Sequence, residues 1–312
     1  MSGPFVLVPL TITDAMLTSS TAAEPSATET VWNAATSYVV GQEAILTSTH
    51  RIYSNLIAGV NATSPDQALA GSTPRWLDVG PTNKWAAYDT QVSTQTAVVT
   101  PLNYVLRPGL FNAIAFYGLD GASISVTVKD AVGGTVIYSS ITELIGLPMD
   151  HYDYYFGPFK PLTKVLCQGV VPYADPEVTI AITAAAGVTV KAGMIAIGDL
   201  RSLASDAGIG GTESGAKAKP VTYSYISTDK FGKTSIVRRS KSTDMDIRVF
   251  VPSADTDSAL ATIQDVLDVP AAWIGSDAPS FTGLNVFGLA SGDVSYEGPT
   301  HSIITIQVKG LI

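Results

Sequence analysis

The sequence predicts a mainly-β protein built from a small three-stranded module, a β-sandwich and a C-terminal α+β domain with one helix. Three observations predict it. Apolar and polar residues alternate with the two-residue period of a half-buried strand over 124–129 and again over 304–309. Twenty-seven glycines and 18 prolines cut the chain into segments of strand length rather than helix length. Only one stretch, beginning at Ser253, combines a cap, early acids and an apolar stripe at helical spacing. At 312 residues the chain is long enough for two or three units, each able to bury its own core.

The elements follow in order. Residues 1–9 lack the basic start and long apolar run of a secretory signal and read as an edge strand. Residues 11–31, rich in Ser, Thr and Ala, have no apolar period, so 1–31 form a strand and an extended arm suited to binding a neighbour. The small module spans 32–82 and the sandwich 84–202. In the sandwich, Ile124, Val126 and Val128 lead into a turn at 130–134 and a returning strand from Thr135. The most apolar stretch, 178–198, is broken by Gly187, Lys191 and Gly193, and reads as a strand pair rather than a membrane span. Residues 203–218, with Gly208, Gly210, Gly211 and Gly215, form a flexible linker, and 219–312 form the last domain. There the helix has Ser253 as its cap, Asp255 and Asp257 in its first turn, and Leu260, Ile263, Val266 and Leu267 as its apolar stripe. It must end before Pro270.

Charge and reactive residues narrow the function. Lys and Arg number 18 against 27 Asp and Glu, a net charge of −9 that opposes nucleic-acid binding. Charged residues are 14% of the chain, against roughly 25% in an ordinary soluble domain, so the surface suits burial against other subunits. Cys167 is the only cysteine, which excludes disulfides and cysteine-based metal centres. His50, His151 and His301 are scattered, and neither a metal nor a cofactor is expected. Gly232-Lys233-Thr234 has Ser227 where a phosphate-binding loop needs its first glycine, and reads as a hairpin turn. No Gly-x-Ser-x-Gly occurs. Glu143, Asp150 and Asp153 offer carboxylates for glycoside hydrolysis beside Tyr154, Tyr155 and Phe156. In the alternative reading those rings pack on the sandwich while the acids face water.

In the small module, Trp32, Tyr38, Gly41 and Ala44 follow the pattern W-x5-Y-x2-G-x2-A, with Tyr53 and Trp76 after it. This pattern resembles the chitinase-type carbohydrate-binding module over about 50 residues. The resemblance implies that Tyr38 and Gly41 are architectural and that Trp32, Tyr53 and Trp76 are candidate plates for a sugar ring. The bare residues leave both ligand contact and core packing open for all three. The insertion at 57–65 has no aromatic residue, unlike that family's. Further on, Trp85 to Asp89, Tyr104 to Gly109 and Asn112 to Gly118 resemble the galactose-binding-like jelly roll of tailed-phage proteins. The run from Lys219 through Arg238-Arg239, Trp273 and Phe287 to Ile312 also resembles those proteins.

The expectation is therefore a non-enzymatic component of a phage tail tip or baseplate, made in the host cytoplasm and located in the virion. Its partners would be copies of itself, neighbouring tail proteins and a host-surface polysaccharide, without nucleic acid and without membrane insertion. A structural adaptor that binds no glycan and a polysaccharide-cleaving tail enzyme are the alternatives.

Overall fold

A computed structural model describes residues 3–69, 73–146, 151–157, 161–204 and 210–311. The N-terminal segment gives β1 (Phe5–Pro9) and β2 (Leu17–Ser20). The small module holds β3 (Ser37–Tyr38), β4 (Glu43–Leu46), β5 (Arg51–Asn55), β6 (Gly59–Val60) and β7 (Trp76–Pro81). The middle of the chain forms β8 (Thr96–Val99), β9 (Leu102–Leu106), β10 (Ala113–Tyr117), β11 (Ser123–Lys129), β12 (Val136–Glu143), the short α1 (His151–Phe156), β13 (Lys164–Gln168), β14 (Glu177–Thr183), β15 (Thr189–Ala192) and β16 (Met194–Ser202). The last third forms β17 (Gly211–Thr212), β18 (Lys217–Thr222), β19 (Tyr225–Thr228), β20 (Thr234–Val237), β21 (Lys241–Pro252), α2 (Thr256–Gln264), β22 (Ala271–Ile274), β23 (Asn285–Ser295) and β24 (His301–Gly310). The protein is mainly β, as its periodicity predicts.

The sandwich core lies between two sheets. One is five-stranded, in the order β12-β11-β14-β9-β2, and the other is the β13-β10-β16 end of a ten-stranded sheet. Leu102, Tyr104 and Leu106 of β9, Ile124, Val126 and Val128 of β11, and Val178, Ile180 and Ile182 of β14 meet Ile114, Phe116, Ile195 and Ile197 across the gap. The alternation at 124–128 thus buries every second residue, each worth about 1.5–3 kcal/mol in transfer free energy. The segment 178–198 does form strands, but they do not pair with each other. β14 joins β9 and β11, whereas β15 pairs with β8. Among the described residues no helix is long and apolar enough to cross a membrane.

The N-terminal strand is a correction to the edge-strand expectation. β1 sits in the interior of the ten-stranded sheet, antiparallel to β16 on one side and to β22 on the other. Val6 packs with Trp273, Val249 and Ile306 beneath α2, while Leu7 on the opposite face packs with Tyr117, Ala196 and Phe287. Five residues therefore stitch the sandwich half of the sheet to the C-terminal half. The arm is internal too: β2 is an edge strand of the sandwich, paired with β9. It is not a tail free to bind a neighbour.

The helix predicted from Ser253 begins at Thr256, whose hydroxyl donates to the Pro252 carbonyl at 3.2 Å. Ala259, Ile263 and Val266 are buried against β21 and β24, and Leu267 points outward. The start shifts because β21 continues to Pro252 and holds Ser253 in the turn that follows.

Burial raises the hydroxyl pKa of Tyr88, Tyr104 and Tyr117, and pushes that of Tyr138 up to about 12. A group with a folded pKa above its unfolded value of 10.0 adds stability that is complete below pH 10 and is lost as pH rises through the folded pKa. Of the thirteen tyrosines, these four are expected to ionise late, together with unfolding. Tyrosinate absorbance and circular dichroism followed in one alkaline titration check this. Ionisation of these four near pH 10 with the fold intact would contradict it.

Candidate functional site: the small module, its junction and the exposed aromatic surfaces

The small module is a three-stranded sheet, β4-β5-β7, with the short pair β3-β6 beside it. A module of this size buries little aliphatic core, so rings fill it. Tyr38, Tyr53 and Trp76 are almost wholly buried together with Ala44, and the Trp76 and Tyr38 rings meet edge to face at 5.1 Å. The Tyr38 hydroxyl accepts the Asn33 backbone N–H at 2.8 Å, and Tyr53 shares a 3.0 Å hydrogen bond with the Thr49 hydroxyl. Gly41 adopts φ +80° in the turn between β3 and β4, a conformation that favours glycine. Tyr38 and Gly41 are thus architectural.

Of the three candidate sugar plates, Tyr53 is 2% exposed and Trp76 1% exposed. Neither ring face reaches solvent, because each is needed to fill the module's core. Trp32 is half-buried and packs on that same core. The structure therefore does not bring the three together as a platform. What the module exposes is aliphatic: Val39, Val40, Leu56, Ile57, Val60, Leu77 and Val79.

The arm, the module and the sandwich meet around Glu24. Its carboxylate accepts the Thr82 hydroxyl at 2.7 Å and the Trp85 indole N–H at 3.0 Å, and lies 2.9 Å from His50 Nδ1. His50 Nε2 is 3.0 Å from Asp14, and the imidazole stacks on Trp85 with centroids 4.3 Å apart. His50 also has φ +56°, a left-handed backbone uncommon for a residue with a side chain. Nearby, Glu29 accepts the backbone N–H groups of Ser26 at 2.7 Å and Asn83 at 2.8 Å. These contacts fix the arm to both units and border an open cleft of about 720 Å³ lined by Glu29, Glu43, Asn83 and Gln95. Glu24, Glu29 and His50 each use both of their polar side-chain atoms in holding the junction. Among the described residues no group of three or more His, Cys, Asp or Glu is placed to hold a metal ion.

The aromatic-acidic stretch behaves differently from the packing expected of it. Asp150 and the side chains of Asp153 and Tyr154 lie outside the described residues. Tyr152, Tyr155 and Phe156 on α1 are each more than 70% exposed, with Phe156 5.3 Å from Tyr152 and 6.4 Å from Tyr155 between ring centroids. Tyr152, Tyr155 and Phe156 are thus not part of the sandwich core. The sequence shows Tyr152, Tyr154, Tyr155 and Phe156 here but carries no signal that separates rings pointing inward from rings pointing outward.

A second exposed surface lies on the hairpin β19-β20. The hairpin continues the β18-β21 pair through the Tyr223 N–H to Ser240 carbonyl hydrogen bond, no third strand joins it among the described residues, and Tyr223, Tyr225, Ile226, Phe231, Ile236 and Val237 are all exposed, Phe231 by 95%. Asp229 closes the turn by accepting the backbone N–H groups of Phe231 and Lys233, with Gly232 at φ +78°. Gly232-Lys233-Thr234 is thus a hairpin turn, as its spacing predicts. No protein-family model, no curated protein and no solved structure matches this chain.

Proposed function

We propose that this protein is a non-enzymatic building block that works in several copies, and that the assembly is the tail tip or baseplate of a long-tailed phage. The observation that carries the reading is the β19-β20 hairpin. The hairpin prolongs the β18-β21 pair with no third strand beside it among the described residues, and it presents six large apolar side chains to solvent. Such a surface is suited to burial against a partner. The low charge content fits the same role, and the phage setting rests on the sequence resemblance.

Contact with a host-surface glycan is a second reading, favoured by the exposed rings of α1. A sugar's C–H face stacks on an exposed phenol or phenyl plate, and Tyr152, Tyr155 and Phe156 offer that where Tyr53 and Trp76 do not. Single sites of this kind bind weakly, at about 1 mM, and several copies on one surface gain by effective concentration.

The purified full chain is expected to sediment as a discrete oligomer well above the 32.6 kDa of one copy. It is also expected to be retained on immobilised host polysaccharide, less so as Tyr152→Ala with Phe156→Ala. A chain that remains monomeric at about 100 μM overturns the assembly reading, because an interface of standard size holds far below that concentration. Unchanged retention by the double variant removes the glycan reading.

A further inference from the structure

The occupant of the hairpin can be argued from charge. The segment 217–241 carries seven Lys and Arg against the single acid Asp229, a net +6, whereas the rest of the chain carries 11 basic residues against 26 acidic, a net −15. The contrast is sharpest within one domain. Between Arg248 and Lys309 there is no Lys or Arg, while Asp255, Asp257, Asp265, Asp268, Asp277, Asp293 and Glu297 give seven acids. Asp257 and Asp268 are exposed on α2 and the turn after it, Asp265 beside them pairs with Arg201 at 3.3 Å, and the apolar Leu267 and Val269 are exposed in the same segment. A basic, apolar ribbon and an acidic surface with apolar side chains thus sit on one molecule.

The ribbon's geometry keeps it off its own body. Tyr225 faces Val237 and Ile226 faces Ile236 across the ladder, so apolar pairs occupy both faces. Tyr225 to Thr228 spans about 10 Å at strand rise, and among the described residues neither β19 nor β20 has a third strand beside it. Residues 217–241 approach the roughly 20–30 residues a side of a specific interface.

Resting on the building-block reading above, we infer that the basic hairpin 223–239 of one copy docks on the acidic C-terminal-domain surface around α2 of a second copy. The donated ribbon and the receiving surface are different patches, so the contact is head-to-tail and repeats from copy to copy. Its apolar side chains supply the burial, and its charges set partner and register.

The test uses the full chain and charge exchange. Lys230→Glu, Lys233→Glu, Arg238→Glu and Arg239→Glu together alter only exposed side chains, so the fold is kept. This variant is expected to raise the concentration at half-assembly at least about tenfold in sedimentation velocity. Asp257→Lys with Asp268→Lys is expected to do the same, and the two sets combined in one chain should recover most of the loss. Ile226→Ser with Ile236→Ser, which changes no charge, should also weaken assembly. Raising salt from 0.1 M to 1 M shortens the screening length from about 10 Å to about 3 Å and should weaken wild-type assembly more than that of the hairpin charge variant. Hairpin variants that assemble like wild type overturn this inference and leave the building-block reading standing. A wild-type chain that never assembles overturns both.

Discussion

Glu24→Ala is expected to cost about 3–5 kcal/mol, because it removes one partner from a buried, fully engaged polar cluster. Glu24 is 5% exposed at its side chain, and its two oxygens serve Thr82, Trp85 and His50. Without it, the Trp85 indole N–H and the Thr82 hydroxyl lose their acceptor in a site already stripped of water. His50, held at positive φ, loses the contact that compensates its backbone. Glu24→Gln keeps the shape but places an amide NH₂ where at least one donor points, and is expected to cost less than Ala. Urea unfolding reads the difference, and limited proteolysis should show earlier cleavage between the arm and the small module. Wild-type stability and cleavage in Glu24→Ala would show that the arm is held elsewhere.

Gly198→Val is expected to destabilise the protein by about 3 kcal/mol through overpacking that backbone alone must absorb. Gly198 lies in β16, opposite Pro9 of β1 and Ala113 of β10. A Cβ built there falls 1.9 Å from the Val8 carbonyl oxygen, which belongs to main chain and cannot rotate away. β1 must move outward, and with it the seam to β22. Loss of protection in hydrogen exchange at both β1 and β22 is the specific readout, since a purely local effect would be confined to β16 and β10. A variant with wild-type stability would mean that the two halves of the long sheet do not depend on this approach.

How much of this was legible depends on whether a feature is encoded locally. The strands at 124–128 and 304–308 were readable because half-burial writes a two-residue period into neighbouring positions. The placement of β1 was not, because Phe5-Val-Leu-Val looks the same at a sheet edge as at its centre. The partners that decide the matter are as distant as Arg201 and Trp273. Burial of Tyr53 and Trp76 was equally hidden: in a small module the same rings suit a core or a ligand, and only the packing with Tyr38 and Ala44 distinguishes the two. Tyr155 and Phe156 were misjudged in the opposite direction, since apolar character predicts burial on average and does not say which rings a short helix turns to solvent. The hairpin's turn was legible from Asp229 and Gly232, but its isolation was not, because the alternation of its strands does not say whether any third strand is present.

The position of β1 also orders events during synthesis. β1 is translated before both of its neighbours, β16 (Met194–Ser202) and β22 (Ala271–Ile274), so the slot between them cannot be filled until Ile274 has emerged. Until then the nascent chain holds one exposed apolar strand, and the finished sandwich waits with an open edge beside it. A newly made chain should therefore depend on protection against aggregation until β22 is made, and a variant lacking residues 3–9 should go on showing that dependence afterwards.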